Sequence, residues 1–325
     1  MEETDVIIVG AGPVGLTCAI ECKKRGLNHL ILEEGMLVNS LFHFPTNMTF
    51  FSTSQKLEIG GVPFISHTEK PTRREALEYY RRVCSSWELN LLTYHKVDSI
   101  QRKNSQFEIQ AKKKKFRSKY VIISTGFYGK PRLLDIPGEE LDKVFHYYTE
   151  VHPFIGQKVA VIGSANSACD VALELFHKDA EVTMIIRQPS ISERVKYWIK
   201  PNIENRINEG SIKAYFNSNV KEIHEDQLDI ITPDGEISIK NDFVLAMTGY
   251  RPDFDFLQQL GIQLSEDEIK KPVHDPATLE TNVKGMYVAG VINAGLQTSK
   301  IFIENSMDHA TKIFDHIMAS EPVNI

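Results

Sequence analysis

Apolar residues in this chain gather in short unbroken blocks, each followed by a run of small residues and then a helical rhythm. Val6-Ile-Ile-Val9 and Val159-Ala-Val-Ile162 are two such blocks, without the polar alternation of a half-exposed strand. Blocks of this length and composition predict buried strands of a parallel sheet. The first is followed by Gly10-Ala-Gly-Pro-Val-Gly15 and a helix to Lys24, the second by Gly163-Ser-Ala-Asn-Ser-Ala168 and a helix to about Phe176. At a constant offset Gly10 falls on Gly163, Gly12 on Ala165, Gly15 on Ala168, Ala19 on Ala172 and Glu21 on Glu174. Each copy then returns to a strand, Leu30–Glu33 in the first and Val182–Ile186 in the second.

The rest of the pattern repeats as well. Alternation around Val97–Arg102, Phe107–Ala111 and Phe116 predicts a small antiparallel meander, and Val220–Ile239 predicts its counterpart. Lys119-Tyr-Val-Ile-Ile-Ser-Thr-Gly126 and Asp242-Phe-Val-Leu-Ala-Met-Thr-Gly249 are buried strands with the same Thr-Gly ending. Between the first copy and its meander lies a long segment, Gly35 to about Pro71, too aromatic for disorder. Thr72 with Glu75 has the form of a capping box for a helix through about Ser86. Gly285-Met-Tyr-Val-Ala-Gly290 is one more buried strand, followed by a helix from about Gln297 to Ala319. With no fingerprint of its own, that last pair completes the first domain. The expected fold is therefore α/β, with two Rossmann-like, three-layer dinucleotide-binding domains. The second (141–269) is inserted into the first (1–140 and 270–325), and each carries a small β-meander.

Composition narrows the class. A chain of 325 residues with 42% apolar and 25% charged residues has the length for two domains and the balance of a soluble globular protein. A net charge of −6 argues against general nucleic-acid or membrane-surface binding. The run Lys112–Lys115 lies between strand-like stretches, as a solvated hairpin end. No apolar run reaches transmembrane length and no signal peptide fits, so a cytoplasmic protein is expected, in which Asn47-Met-Thr49 is a chance sequon. Cys18, Cys22, Cys84 and Cys169 form no Cys-x-x-Cys pair and have no histidine partner. They are expected to be small buried hydrophobes, without disulfide or metal.

The candidate chemistry sits at the two turns. Amides at a helix N-terminus receive a pyrophosphate, and only tiny side chains let it approach. A single such fingerprint is weak evidence; two, each between a strand and a helix, are strong. The second strands end differently, in Glu33 and Glu34 against Arg187. An acid there accepts hydrogen bonds from an adenosine ribose, whereas an arginine pairs with a 2′-phosphate. The first turn (Gly10, Gly12, Pro13, Val14, Gly15, with Glu33) is thus expected to bind FAD, and the second (Gly163, Ser164, Ala165, Asn166, Ser167, with Arg187 and Gly249) to bind NADPH. Met48–Ser52 is the candidate cover for the flavin ring, with core packing by Phe50 and Phe51 as the alternative. His309, on the final helix, is the candidate catalytic proton donor, with an ordinary surface histidine as the alternative.

Over essentially its whole length the chain resembles the low-molecular-weight thioredoxin-reductase-like flavoproteins, and within them the bacillithiol disulfide reductases. The marks are Phe44-Pro-Thr-Asn-Met-Thr-Phe-Phe-Ser-Thr-Ser54, Lys56-Leu-Glu-Ile-Gly60, Val62-Pro-Phe64, Thr125-Gly-Phe-Tyr-Gly129, Val144-Phe-His-Tyr147, Gly249-Tyr-Arg-Pro-Asp253 and Ile301-Phe-Ile-Glu-Asn305. The resemblance implies FAD, NADPH, a cytosolic homodimer or higher homo-oligomer, and reduction of a low-molecular-weight disulfide. It adds Glu34, Ser40, Met48, Val97, Thr125, Gly126, Gly290 and Val291 to the expected flavin contacts. Two departures stand out. Thioredoxin reductases proper carry Cys-x-x-Cys just ahead of the second fingerprint, where this chain reads His146-Tyr-Tyr-Thr-Glu-Val-His-Pro153. The bacillithiol-type family has a cysteine in the first glycine-rich loop, where this chain has Val14. Three readings follow: an NADPH-dependent reductase of a small disulfide, a ferredoxin- or flavodoxin-NADP reductase serving a small redox protein, and a flavin monooxygenase. The last ranks lowest, because Phe145-His-Tyr-Tyr does not match the Phe-x-Gly-x-x-x-His run of that class. A redox-sensing binder with the same cofactors is a non-enzymatic fourth.

Overall fold

The computed structural model describes residues 1–320, so the last five residues of the expected first domain, 321–325, lie outside the described residues. The chain forms two compact units, one from Met1–His43, Met48–Lys130 and Tyr250–Ile325, the other from Phe44–Asn47 and Pro131–Gly249.

The first unit is built on a seven-stranded sheet. The strand Glu2–Val9 lies between His29–Leu32 and Lys114–Ile123 and runs parallel to both, with Val6 opposite His29 and Tyr120. Met286–Val288 pairs in parallel with Val121–Ile123. These strands are buried on both faces, which is why their sequences do not alternate. The meander differs from expectation. Lys114–Ile123 is one strand that runs parallel to Glu2–Val9 from Phe116 onward, while on its other edge it pairs antiparallel with Gln106–Ala111 as far as Ser118 and then parallel with Met286–Val288 from Val121. The turn falls on Lys112 and Lys113, at φ 42° and 65°, so the chain is already extended from Lys114 onward.

One sheet face gathers Ile7, Val9, Leu30, Leu32, Val121 and Met286 with Phe254, Leu257, Leu260 and Ile262. Burying each of those four large side chains contributes roughly 1.5–3 kcal/mol. They draw 250–269 into the first unit, although the sequence pattern had grouped that stretch with the second. Against the strand Glu2–Val9 lies the helix Pro13–Lys24, which packs on the helix Asp308–Ser320. Arg25 ties the two together through Asp315 at 2.6 Å. The helix Arg73–Ser86 begins at Thr72 with both bonds of the capping box in place.

The last helix starts later than its sequence suggests, at Asp308 rather than about Gln297. Amides beside and within the expected stretch are used elsewhere: just before it Leu296 donates to the Ile269 carbonyl at 2.7 Å, and within it Phe302 donates to Asn305 Oδ1 at 2.6 Å.

The second unit holds a five-stranded parallel sheet in the order Lys213–Tyr215, Glu181–Ile185, Lys158–Ile162, Phe243–Ala246, Val144–Phe145. On one face the helix Asn166–Phe176 buries Ala168, Ala172 and Leu175 against Val159 and Val161. On the other, Ala160, Ile162 and Val244 meet Ile223, Leu228 and Ile230 of a three-stranded antiparallel sheet. Helices, parallel sheet and small sheet make three layers.

Candidate nucleotide sites

In the first turn the three glycines are glycine for different reasons. Gly10 has φ 105°, and a Cβ there would lie 2.7 Å from the Ser124 carbonyl oxygen. A Cβ on Gly15 would lie 2.0 Å from the Gly10 carbonyl oxygen. Both are demanded by the fold itself. Gly12 is not: its φ −74° and ψ 175° suit any residue, and a Cβ would meet nothing within 4 Å. Neither conformation nor packing calls for glycine there. The open side faces the start of the helix Pro13–Lys24, which no side chain caps.

Glu33 is buried at the strand end, with Oε2 accepting from the Ala11 N–H at 2.8 Å and Oε1 from the Gly35 N–H at 2.8 Å. Burial pushes its pKa up and those two amides oppose the rise. The carboxylate thus pins the turn, and each oxygen retains a lone pair for a ribose hydroxyl. Glu34 is exposed, and Ser40 is half-buried in the short helix Asn39–Phe42. Sequence reasoning missed Ser124, whose Oγ donates to the carbonyls of Val9 at 3.0 Å and Gly10 at 3.1 Å. Its only signal was its place just before Thr125 and Gly126, which are half-buried at the end of the same strand. Val97 lies in the sheet core near Leu32. In the expected flavin cover, Met48 is half-buried, Phe50 is buried and Phe51 is 59% exposed.

A second part of the first unit brings Val14, Gly290 and His309 together. The Gly290 N–H donates to His309 Nδ1 at 3.0 Å, and a Cβ on Gly290 would lie 3.2 Å from Val14 Cγ2. Val291, next in the chain, is half-buried. His309 is itself buried, which pushes its pKa down, so the ring is neutral at pH 7 with its proton on Nε2. The structure gives His309 the task of holding the Gly290 turn. Downstream, Asn293 Oδ1, Gln297 Oε1 and Glu304 Oε2 are shielded oxygens without a partner among the described residues. Shielded acceptors of this kind and the space beside Gly12 fit a bound group that supplies donors and a pyrophosphate.

The second turn has the same backbone. Gly163 has φ 132°, and a Cβ there would lie 2.7 Å from the Met247 carbonyl oxygen. Ala165 is extended and exposed, and Ser167, in the first turn of the helix, is exposed as well. The Ser164 carbonyl accepts from the Ser192 N–H at 3.1 Å, and the Asn166 side chain is bonded to residues 194 and 196. Arg187 is exposed just beyond Glu181–Ile185. A second guanidinium, not foreseen, neighbours it. Arg132 is pinned by its N–H to the Gly249 carbonyl at 2.9 Å and by the Thr248 hydroxyl to its own carbonyl at 2.6 Å. Burial and then the charge of Arg187 push the Arg132 pKa down. Nothing in the local sequence marks Arg132, because its neighbour comes from a distant strand.

Cys18, Cys22 and Cys169 are buried and Cys84 is half-buried, all four free. Burial pushes every one of these thiols up, Cys22 and Cys169 to about 12. None is a thiolate at neutral pH.

Two nucleotide-type turns on separate α/β units define a flavin- and pyridine-nucleotide-dependent oxidoreductase. The chain belongs to the pyridine nucleotide-disulphide oxidoreductase family, whose model matches residues 7–290. It is 42% identical over 323 residues to the bacilliredoxin reductase Bdr of Bacillus subtilis (strain 168), covering 99% of each chain. The solved structure of the bacillithiol disulfide reductase Bdr from Staphylococcus aureus matches with a TM-score of 0.96 at 41% identity, covering 99% of this chain and 100% of the other. A ferredoxin–NADP reductase of Ignicoccus hospitalis is 28% identical over 299 residues, covering 89% of this chain and 90% of its own. Among the described residues no helix is long and apolar enough to cross a membrane.

Proposed function

We propose that this protein is an NADPH-oxidising FAD enzyme of the cytoplasm that reduces a low-molecular-weight disulfide or the disulfide of a small redox protein. The observation that carries the FAD assignment is Glu33, a buried acid that closes the strand after the first turn, while Gly12 leaves that turn open to a pyrophosphate. Gly12, Pro13, Val14 and Gly15 would receive the pyrophosphate and Glu33 the adenosine ribose, with Gly290 and Val291 beside the flavin. Gly163, Ala165 and Ser167 would face the pyrophosphate of NADPH, and Arg187 its 2′-phosphate. When bound, the two cofactors supply hydride transfer from nicotinamide to flavin. The protein's share is to orient them and hold water away. The names of the 42%- and 41%-identical relatives favour a disulfide as final acceptor.

In this chain the acceptor must take electrons without help from a protein thiol. Val14 is chemically inert, and the four cysteines are protonated and mostly buried. Direct transfer from flavin to acceptor is therefore the route. It leaves the ferredoxin–NADP reductase type of reaction as the second reading, supported by the 28%-identical relative. The test is NADPH consumption by the purified, FAD-loaded protein against bacillithiol disulfide, a bacilliredoxin mixed disulfide, ferredoxin, flavodoxin and oxygen. Turnover with either disulfide supports the first reading. Turnover with ferredoxin or flavodoxin alone supports the second.

A further inference from the structure

Asn166 opens the second fingerprint helix, yet its side chain does not serve that helix. The residue before it, Ala165, is the cap, and no side chain caps the helix end. An alanine at 166 would suit the helix better. Instead Asn166 Nδ2 donates to the Arg194 carbonyl at 3.1 Å, and its Oδ1 accepts from the Lys196 N–H at 2.8 Å. The same loop is held at Ser192, whose N–H donates to the Ser164 carbonyl at 3.1 Å, and at Lys196 Nζ, which lies 2.8 Å from Asp170 Oδ2. Ile191 and Val195 anchor it in the core, which leaves Arg194 on the exposed side. The loop is thus laced to the turn on both sides of an exposed guanidinium, at the helix end whose amides attract an anion.

We infer that Asn166 is a positioning residue: it acts on the nucleotide through the loop, by fixing Arg194 beside the phosphates, and not by touching the nucleotide. This rests on the second turn binding NADPH. Both groups of Asn166 are already used within the protein. Without them the loop keeps its ties at Ser192 and at the Lys196 side chain, but the Arg194 carbonyl and the Lys196 amide between and beside those ties are released.

The test combines NADP⁺ titration of the FAD-loaded protein by calorimetry with amide exchange of the nucleotide-free protein, using Asn166→Ala, Arg194→Ala and the double variant. Each single change is expected to weaken NADP⁺ binding about tenfold, the size of one lost charge-assisted bond. The double variant should be no weaker than either single one, because both act through the same contact. Amides of residues 193–197 should exchange faster in Asn166→Ala and as in the native protein in Arg194→Ala. Additive losses, or weaker binding with unchanged exchange, would mean that Asn166 contacts the nucleotide itself and would overturn the inference. If Asn166→Ala fails to fold, Asn166→Asp keeps the acceptor for Lys196, loses the donor to Arg194, and is judged by the same exchange. Native protein that binds no NADP⁺ would instead remove the NADPH assignment, while the exchange result still decides the lacing.

Discussion

Replacing Gly12 by alanine separates what the fold needs from what the ligand needs. The new methyl meets no protein atom within 4 Å, and φ −74° with ψ 175° is open to alanine. Fewer unfolded conformations favour the variant by about 0.4–1 kcal/mol. Alanine is a poorer N-cap than glycine by a similar amount, about 0.5–1 kcal/mol. The two offset, so the flavin-free protein should melt within a few degrees of native. The methyl does enter the space assigned to the pyrophosphate, and intrusion of one methyl into a filled site costs about 1–3 kcal/mol, or roughly 5- to 150-fold in Kd. Flavin-free protein would be titrated with FAD by fluorescence quenching and melted in parallel. Gly15→Ala is the contrast, since its Cβ would sit 2.0 Å from the Gly10 carbonyl oxygen and the variant should not fold. If Gly12→Ala binds FAD like the native protein, the space beside Gly12 is not a pyrophosphate site.

Three further outcomes are expected. Arg187→Ala should raise KM for NADPH by roughly 10- to 150-fold, from a contact of about 1.5–3 kcal/mol, and leave NADH unchanged; equal losses with both would show that Arg187 does not read the phosphate. Native protein should reduce bacillithiol disulfide weakly, and Val14→Cys, which places a thiol against Gly290, should raise disulfide-dependent NADPH oxidation. Robust native turnover unchanged by the substitution would show that position 14 carries no electrons. His29 is buried with its pKa pushed down to about 4, so protons favour the unfolded chain and stability is lost as pH falls from about 6.5 toward 4. The loss is at most about 3 kcal/mol, and His29→Gln should flatten that part of a urea-unfolding series against pH, whereas an unchanged slope would assign it to other groups.

Features written in contiguous residues were legible before the structure. Val6–Val9 and Val159–Ile162 announce buried parallel strands, and Thr72 with Glu75 announces a helix that starts where its capping box says. Features that depend on which segments meet were not. Phe116 alternates like a meander strand and Val121 reads as a buried one, yet one strand carries both because it changes partners midway. Gln297–Ser306 has a plausible helical rhythm, but the Leu296 amide just ahead of it is spent on Ile269 and the Phe302 amide within it on Asn305. The same division runs through the site. Glycines, Glu33 and Arg187 announce themselves by spacing, whereas Ser124 and Arg132 act only through residues brought from elsewhere in the chain.

The two turns also bear on where cofactor choice would reside under the proposed function. Gly10 and Gly163 share the positive φ and the close approach to a neighbouring strand, and the helices that follow start alike. A pyrophosphate would find the same amides at either turn, so the turn alone cannot distinguish FAD from NADPH. The strand ends can. Glu33 is buried and bonded to two amides, a rigid acceptor for ribose hydroxyls whose negative charge would repel a 2′-phosphate. Arg187 is exposed, and its charge acts together with burial to lower the pKa of Arg132, so positive charge gathers at this strand end where a 2′-phosphate would be attracted. On the proposed assignment, discrimination would sit one strand away from the phosphate turn. On the same assignment Ala165 would suit the second turn: NADPH would leave after each hydride transfer, so the closest approach to the backbone would not be required of it.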